Sequence, residues 1–443
     1  MGVKSFKKVF YKIKRSIWIY PVLYSMVAII MAILVILVDS KLIIDFNPYL
    51  PSILLTTPDL AKSVLSIIAT AFITIMTFTF STTMVVLTMY TSQFSPRVVE
   101  NFLTEKSTMK SFGIFVSGFI YTIISLLFIR DILSEFKILA GTIGVIYIII
   151  GIVNFIIYIN NVGTYIQATN LIHRLYDKAS SDILDYQNSL EIYVTVDEEK
   201  MKDMELQLFV NSPSSGYIQE IDYDWLHKIA ISTKTILVLD RIAGQFLTDE
   251  SPIVGIYYDH RSELGAHMED EIKEAIMIGD RRTETQDFNF SIQKMVEVAL
   301  KALSPGINDP NTAITCIQKN GLLIRDLAHM KEGYIKMKDD HEGFGALYRE
   351  NYHMDQLLTQ AFHQIIHYGK EDVFVMVTVI KAFRHILEKA DDENKEIILA
   401  QGKYLYELLA EEYTNEKELE LIRKEYDDMR HQKAFLKAKR KAK

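Results

Sequence analysis

The chain of 443 residues carries 48 Lys and Arg against 56 Asp and Glu, a formal charge of -8, with a mean hydropathy of +0.12. That length admits two or more domains, and because apolar residues crowd into the first third, the composition is that of a membrane protein with a large soluble part. The single cysteine, Cys316, excludes an intrachain disulfide framework and a multi-cysteine zinc site, and nothing makes a case for nucleic acid as a partner.

Residues 1–16 form a basic arm with Lys4, Lys7, Lys8, Lys12, Lys14 and Arg15, a pattern that suits water or the anionic cytoplasmic face of a bilayer. Ile17 to Val38 is apolar, too long for a signal-peptide core and followed by no small-residue cleavage pattern, which predicts a retained first membrane helix. Asp39 to Lys62 contains the helix breakers Pro48, Pro51 and Pro58 and reads as an external loop.

The second span, Ser63 to Ser92, has no charge, and at ~1.5 Å per residue it makes a helix of ~45 Å, longer than the ~30 Å hydrocarbon core. Ser63, Ser66, Thr70, Thr74, Thr77, Ser81, Thr88 and Ser92 recur in steps of three and four, apart from one gap, and fall on one helix face. Such a stripe either brings helices close together or lines a water-filled path between several copies. A third span, Ser111 to Ile129, has Gly113, Ser117 and Tyr121 at helical spacing, a face suited to close helix contact. The fourth, Ile138 to Ile159, places Asn154 inside the membrane, where it needs a neighbouring hydroxyl or backbone group, or else a permeating ion. Lys and Arg near the helix ends number six in the arm and three between the second and third spans, against two in each of the other connections. Both termini are therefore expected on the cytoplasmic side of an inner, or plasma, membrane.

Residues 166–190 read as a connecting helix. Across 191–262 the period shortens to β-branched runs such as IYVTV, LQLFV, TKTILVLD and SPIVGIYYD, which predict a small β barrel or sandwich. A helical domain over 263–413 and a charged helical tail over 414–443 complete the expected order, four transmembrane α-helices over 17–165 followed by a cytoplasmic α+β region.

His363 and His367 in HQIIH have metal-ligand spacing, but Gln364 stands where a zinc peptidase needs a glutamate base, and exposed or packed histidines are the simpler reading. No phosphate-binding glycine loop, nucleophile elbow or paired-carboxylate signature is present, so neither an enzyme nor a cofactor is expected. Arg281, Arg282 and Asp287 in GDRRTETQDF form either a clamp for carboxylate or phosphate or an internal ion pair. Ser304, Asn308 and Asp309 in LSPGINDPNT lie in a turn whose side chains can cap the following helix or face a ligand.

The motifs QFSPR at Gln93 to Arg97, RRTETQD at Arg281 to Asp287 and ALSPGINDPNTA at Ala302 to Ala313 resemble a bacterial family of predicted membrane proteins, domain of unknown function 2254. That resemblance covers nearly the whole chain and implies an inner-membrane protein with a cytoplasmic C-terminal region, but no activity. The combined expectation is a homo-oligomer in the lipid bilayer whose second helices surround a path for an ion or small polar solute. Ser66, Thr70, Thr74, Thr77, Ser81 and Asn154 are its lining candidates. A membrane-anchored cytoplasmic binding module is the alternative.

Overall fold

The computed structural model describes residues 19–40, 51–93, 106–129, 137–165, 167–196, 208–258, 262–338 and 345–441. The basic arm and all of QFSPR but Gln93, with it Arg97 of the second-to-third connection, lie outside them. The chain divides into two compact units, Met1–Asn170 and Leu171–Lys443.

The first unit holds α1 (Ile19–Asp39), α2 (Pro58–Gln93), α3 (Lys106–Phe128) and α4 (Ala140–Tyr165). Each contains a stretch long and apolar enough to cross a membrane. Pro58 does not break α2 as the sequence suggested; it opens the helix, where its fixed φ is already helical and no N–H is required, and Asp59 follows in the first turn. Asp39, the last residue of α1, accepts the backbone N–H of Leu139 (2.8 Å) and of Ala140 (3.1 Å) and so caps α4 from the end of another helix. Gly113 lets α3 approach α1: a Cβ there would lie 2.4 Å from the Tyr24 ring. Tyr121, the other large member of that small-residue face, is fully buried and donates to the Ala140 carbonyl at 3.0 Å.

In the second unit, α5 (Ala168–Leu190) leads into two open sheets. A six-stranded sheet has the order β1-β8-β9-β4-β6-β2 and a three-stranded sheet the order β5-β3-β7, from β1 (Tyr193–Val196), β2 (Leu208–Asn211), β3 (Gly216–Ile221), β4 (Ile236–Leu239), β5 (Phe246–Leu247), β6 (Pro252–Tyr257), β7 (Ile276–Gly279), β8 (Tyr334–Met337) and β9 (Ala346–Glu350). All described pairings are antiparallel except β4 with β9. No barrel closes among the described strands. Two departures from the sequence reading matter here. The strand-rich stretch contains α6 (Tyr223–Thr233), capped by Asp222, and β7, β8 and β9 come from the region expected to be wholly helical. Those three strands are runs of four or five residues, too short for their periodicity to separate strand from helix.

The remaining helices are α7 (Met268–Glu274), α8 (Phe288–Ala302), α9 (Pro310–Leu327), α10 (Met354–Leu358), a π turn (Thr359–His363), α11 (Gln364–Gly369), α12 (Val373–Leu387), α13 (Asp392–Glu412) and α14 (Glu416–Lys441). Although highly charged, α14 buries Ile422, Tyr426 and Met429, four and three residues apart, and Met429 fills the space that a side chain on Gly402 of α13 would take. The tail is thus a docked helix at its N-terminal half.

Candidate functional site

Along α2 the hydroxyls Ser63, Ser66, Thr70, Thr74, Thr77, Ser81, Thr88 and Ser92 are all exposed. The positions that α2 buries are Pro58, Ala61, Leu65, Ile68, Ala69, Phe72, Thr79, Thr83 and Val86. At about 100° per residue the exposed hydroxyls span an arc of roughly 80°, and its centre lies roughly opposite that of the buried set. The stripe therefore points away from the side on which α2 packs against the other described helices of the first unit. Ser66, Thr70 and Thr74 each donate to the carbonyl four residues back, at 2.9, 3.0 and 3.0 Å, which satisfies the hydroxyl protons and leaves oxygen lone pairs outward. The hydroxyls used for packing are different ones: Thr83 pairs with the Tyr158 hydroxyl at 2.7 Å, and Tyr158 donates to the Thr79 carbonyl at 3.0 Å.

Asn154 is not part of that exposed surface. Its Oδ1 accepts from Ser111 of α3 at 3.4 Å, so it bridges α3 and α4, the neighbouring-hydroxyl arrangement that a membrane asparagine calls for.

In the second unit Arg282 and Asp287 form an internal pair. Arg282 Nε meets Asp287 Oδ2 at 2.6 Å, Nη2 meets Oδ1 at 3.0 Å, and Nη1 is held by Gln293 at 2.6 Å. Asp287 is completely buried and also caps α8 through the Phe290 N–H at 3.1 Å. Burial raises its pKa, while Arg282 and the Phe290 amide pull it back down. Gly244, at φ +91°, closes over the carboxylate, where a Cβ would stand 1.9 Å from Oδ2. Arg281 is exposed.

The SPGINDP segment is a turn and cap. Ser304 Oγ donates to the Lys301 carbonyl at 2.6 Å, the Ser304 carbonyl accepts from Asn308 N–H at 2.9 Å, and Asn308 sits at φ +51°. Asp309 accepts from the Thr312 N–H (3.2 Å) and hydroxyl (2.6 Å), with Pro310 in the first turn of α9. Asp309→Ala is expected to cost about 1 kcal/mol. Thermal melting of the purified chain measures it, and an unchanged melt would remove the capping role.

His363 and His367 are exposed, and among the described residues no group of three or more His, Cys, Asp or Glu is placed to hold a metal. His353 instead bridges Glu332 (3.3 Å) and Glu350 (3.2 Å). Desolvation pulls its pKa down, but the two glutamates outweigh that and leave it raised above 6.5. A raised folded pKa gives stability that is complete below the unfolded value and is lost as pH rises through the folded one. The melting difference between the parent chain and His353→Gln should accordingly be larger near pH ~5.5 than near pH ~8.5, and equal differences would contradict the bridge.

A cavity of about 560 Å³ lies near this bridge, lined by residues of α5, β1, β3, α6 and β9 and by the residues flanking Asp287. Gln286, at φ +56°, makes one wall by pairing its side-chain amide with the backbone of Ile221, Oε1 accepting at 2.9 Å and Nε2 donating at 3.0 Å. Phe288, Tyr186 and Tyr352 form an aromatic cluster with ring centroids 4.5 to 5.6 Å apart. Arg349 projects from β9, whose backbone is fixed between β4 and β8 opposite Leu239 and Ile335. Its guanidinium lies 4.1 Å from the Tyr193 ring and 4.4 Å from the Tyr223 ring. Burial raises the Tyr223 pKa, and the neighbouring Arg349 charge offsets part of the rise. Gln286 and Phe288 lie in the GDRRTETQDF stretch, but the other cavity residues did not stand out in the sequence, because they come from separate segments. The one local signal is an arginine inside the otherwise buried strand ALYRE.

The family model described as a predicted membrane protein, domain of unknown function 2254, matches residues 14–385. The chain belongs to that family. Uncharacterized proteins of Mycobacterium bovis and of two strains of Mycobacterium tuberculosis are 27% identical to it over 278 residues. The match covers 59% of this chain and 51% of theirs, so the chain spans about half the length of the curated relatives it matches. No solved structure matches. The four apolar helices and the family together establish a membrane protein with a mixed helical and sheet region following the spans.

Proposed function

We propose that copies of this family member assemble through α2 so that the stripe of Ser66, Thr70, Thr74, Thr77 and Ser81 encloses a water-filled path for ions or small polar solutes. The observation that carries the reading is the direction of the stripe: it faces away from the side on which α2 packs in the first unit. Lipid alone gives no reason for a face of hydroxyls, whereas a second copy does. Without a ring of charge such a path selects weakly between ions. The second unit, with both chain ends on the cytoplasmic side of the plasma membrane as the Lys and Arg distribution favours, acts as vestibule, gate or sensor and performs no catalysis.

The test is conductance of the purified full chain in liposomes, with Thr74→Cys in a Cys316→Ser background. Current that changes when a charged thiol reagent modifies position 74 supports the path. Absence of current under every membrane potential and tension overturns it. The second reading, an anchored binding module, is favoured by the aromatic cavity of the second unit.

A further inference from the structure

We propose that the cavity of the second unit binds a small zwitterion, with its carboxylate on the Nε and Nη2 edge of Arg349 and its ammonium group among the acidic residues of the cavity wall. This site stands whether or not α2 lines a path. Arg349 is only 5% exposed, and Nε and Nη2 are buried with no hydrogen-bond partner among the described residues. These two nitrogens form one side of the guanidinium fork, the geometry that takes both oxygens of a single carboxylate. The Tyr193 and Tyr223 rings lie against the guanidinium at 4.1 and 4.4 Å and hold it in place at the cavity wall. A buried guanidinium with an unsatisfied edge is costly, so an anion that completes it is bound favourably.

The charge of the lining decides which anion. Asp185, Glu220 and Asp224 also line the cavity, and their carboxylates make no hydrogen bond or ion pair among the described residues. Asp182, Asp222 and Glu350 line it as well, so a dianionic phosphate meets repulsion from several carboxylates against one arginine, whereas a monocarboxylate that carries its own ammonium group satisfies both signs. The volume of about 560 Å³ and the rings of Tyr186, Tyr352 and Phe288 leave room for an apolar body between the two charged ends. Free amino acids are the simplest members of that class.

Binding is read as a rise in melting temperature of the full chain in detergent, with the protein amino acids supplied individually at millimolar concentration. At least one is expected to raise it in a saturable way, while its N-acetyl and its amide derivatives bind at least about tenfold more weakly. Arg349→Lys keeps the charge but not the fork and should weaken the same amino acid by about tenfold or more. Because that substitution touches a buried strand, the double variant Asp185→Asn, Glu220→Gln provides a second reading: it should selectively abolish the preference for the free amine. The proposal is overturned if no amino acid shifts the melt, if both derivatives bind as well as the parent compound, if inorganic phosphate binds better, or if the double variant leaves the preference for the amine intact.

Discussion

Asp287→Ala is expected to destabilise the second unit by about 3 to 5 kcal/mol, because it strands the charge of a largely buried arginine. Arg282 is 17% exposed and Asp287 1%, and the two meet through bonds of 2.6 and 3.0 Å. The same carboxylate caps α8, and the Gly244 backbone is folded tightly over it, so water cannot replace the lost oxygens without moving that loop. Removing both charges together, as in Arg282→Met with Asp287→Leu, should recover much of the loss, since no buried charge is then left alone. Protease resistance of the full chain under increasing denaturant reports the difference. A loss below about 1 kcal/mol for the single substitution would return the arginine to the status of an exposed, ligand-seeking group.

Gly118→Leu is expected to disrupt the first unit, at a cost of about 3 kcal/mol or more. Phe72 of α2 is fully buried, and a Cβ on Gly118 of α3 would stand 2.3 Å from its ring, one on Gly151 of α4 2.7 Å. The ring thus occupies a slot that the two glycines leave open. In lipid no hydrophobic transfer term holds helices together, so close packing of this kind carries a large part of the association. Phe72→Ala should restore folding to Gly118→Leu by giving the new side chain the volume that the ring gave up. Detergent melting of the two single variants and the double variant tests this. Additive losses, with no rescue, would show that the slot is not where α2 is seated.

The parts of the fold that were legible in the sequence are those with a long, unbroken signal. Four apolar stretches announced α1 to α4, and the hydroxyl steps from Ser63 to Ser92 correctly described one face of α2. The capping chemistry of Asp309 was also readable, because a cap is specified within three residues. Longer-range facts were not. Whether that stripe met its own chain depended on where Leu65, Phe72 and Thr83 pack, and Arg281 and Arg282 looked alike until one of them found Asp287. The strands β7, β8 and β9 are recognisable only by their partners in the sheets, and α14 docks through three apolar residues in a charged background. The cavity at Arg349 is the extreme case, since its walls come from segments between Asp182 and Tyr352 that no local pattern links.

The central claim is that the face of α2 turned away from its packing side in the first unit meets water in the assembled protein. Single cysteines at Ser66, Thr70, Thr74, Thr77 and Ser81 in a Cys316→Ser background, with Ile75 as the control on another face, test it in membranes with a small, charged, water-soluble thiol reagent. Thiolate forms only where water reaches. The account predicts modification at all five stripe positions and resistance at Ile75. Protection along the whole stripe would contradict it and leave the hydroxyls as a contact between copies or a face turned to lipid.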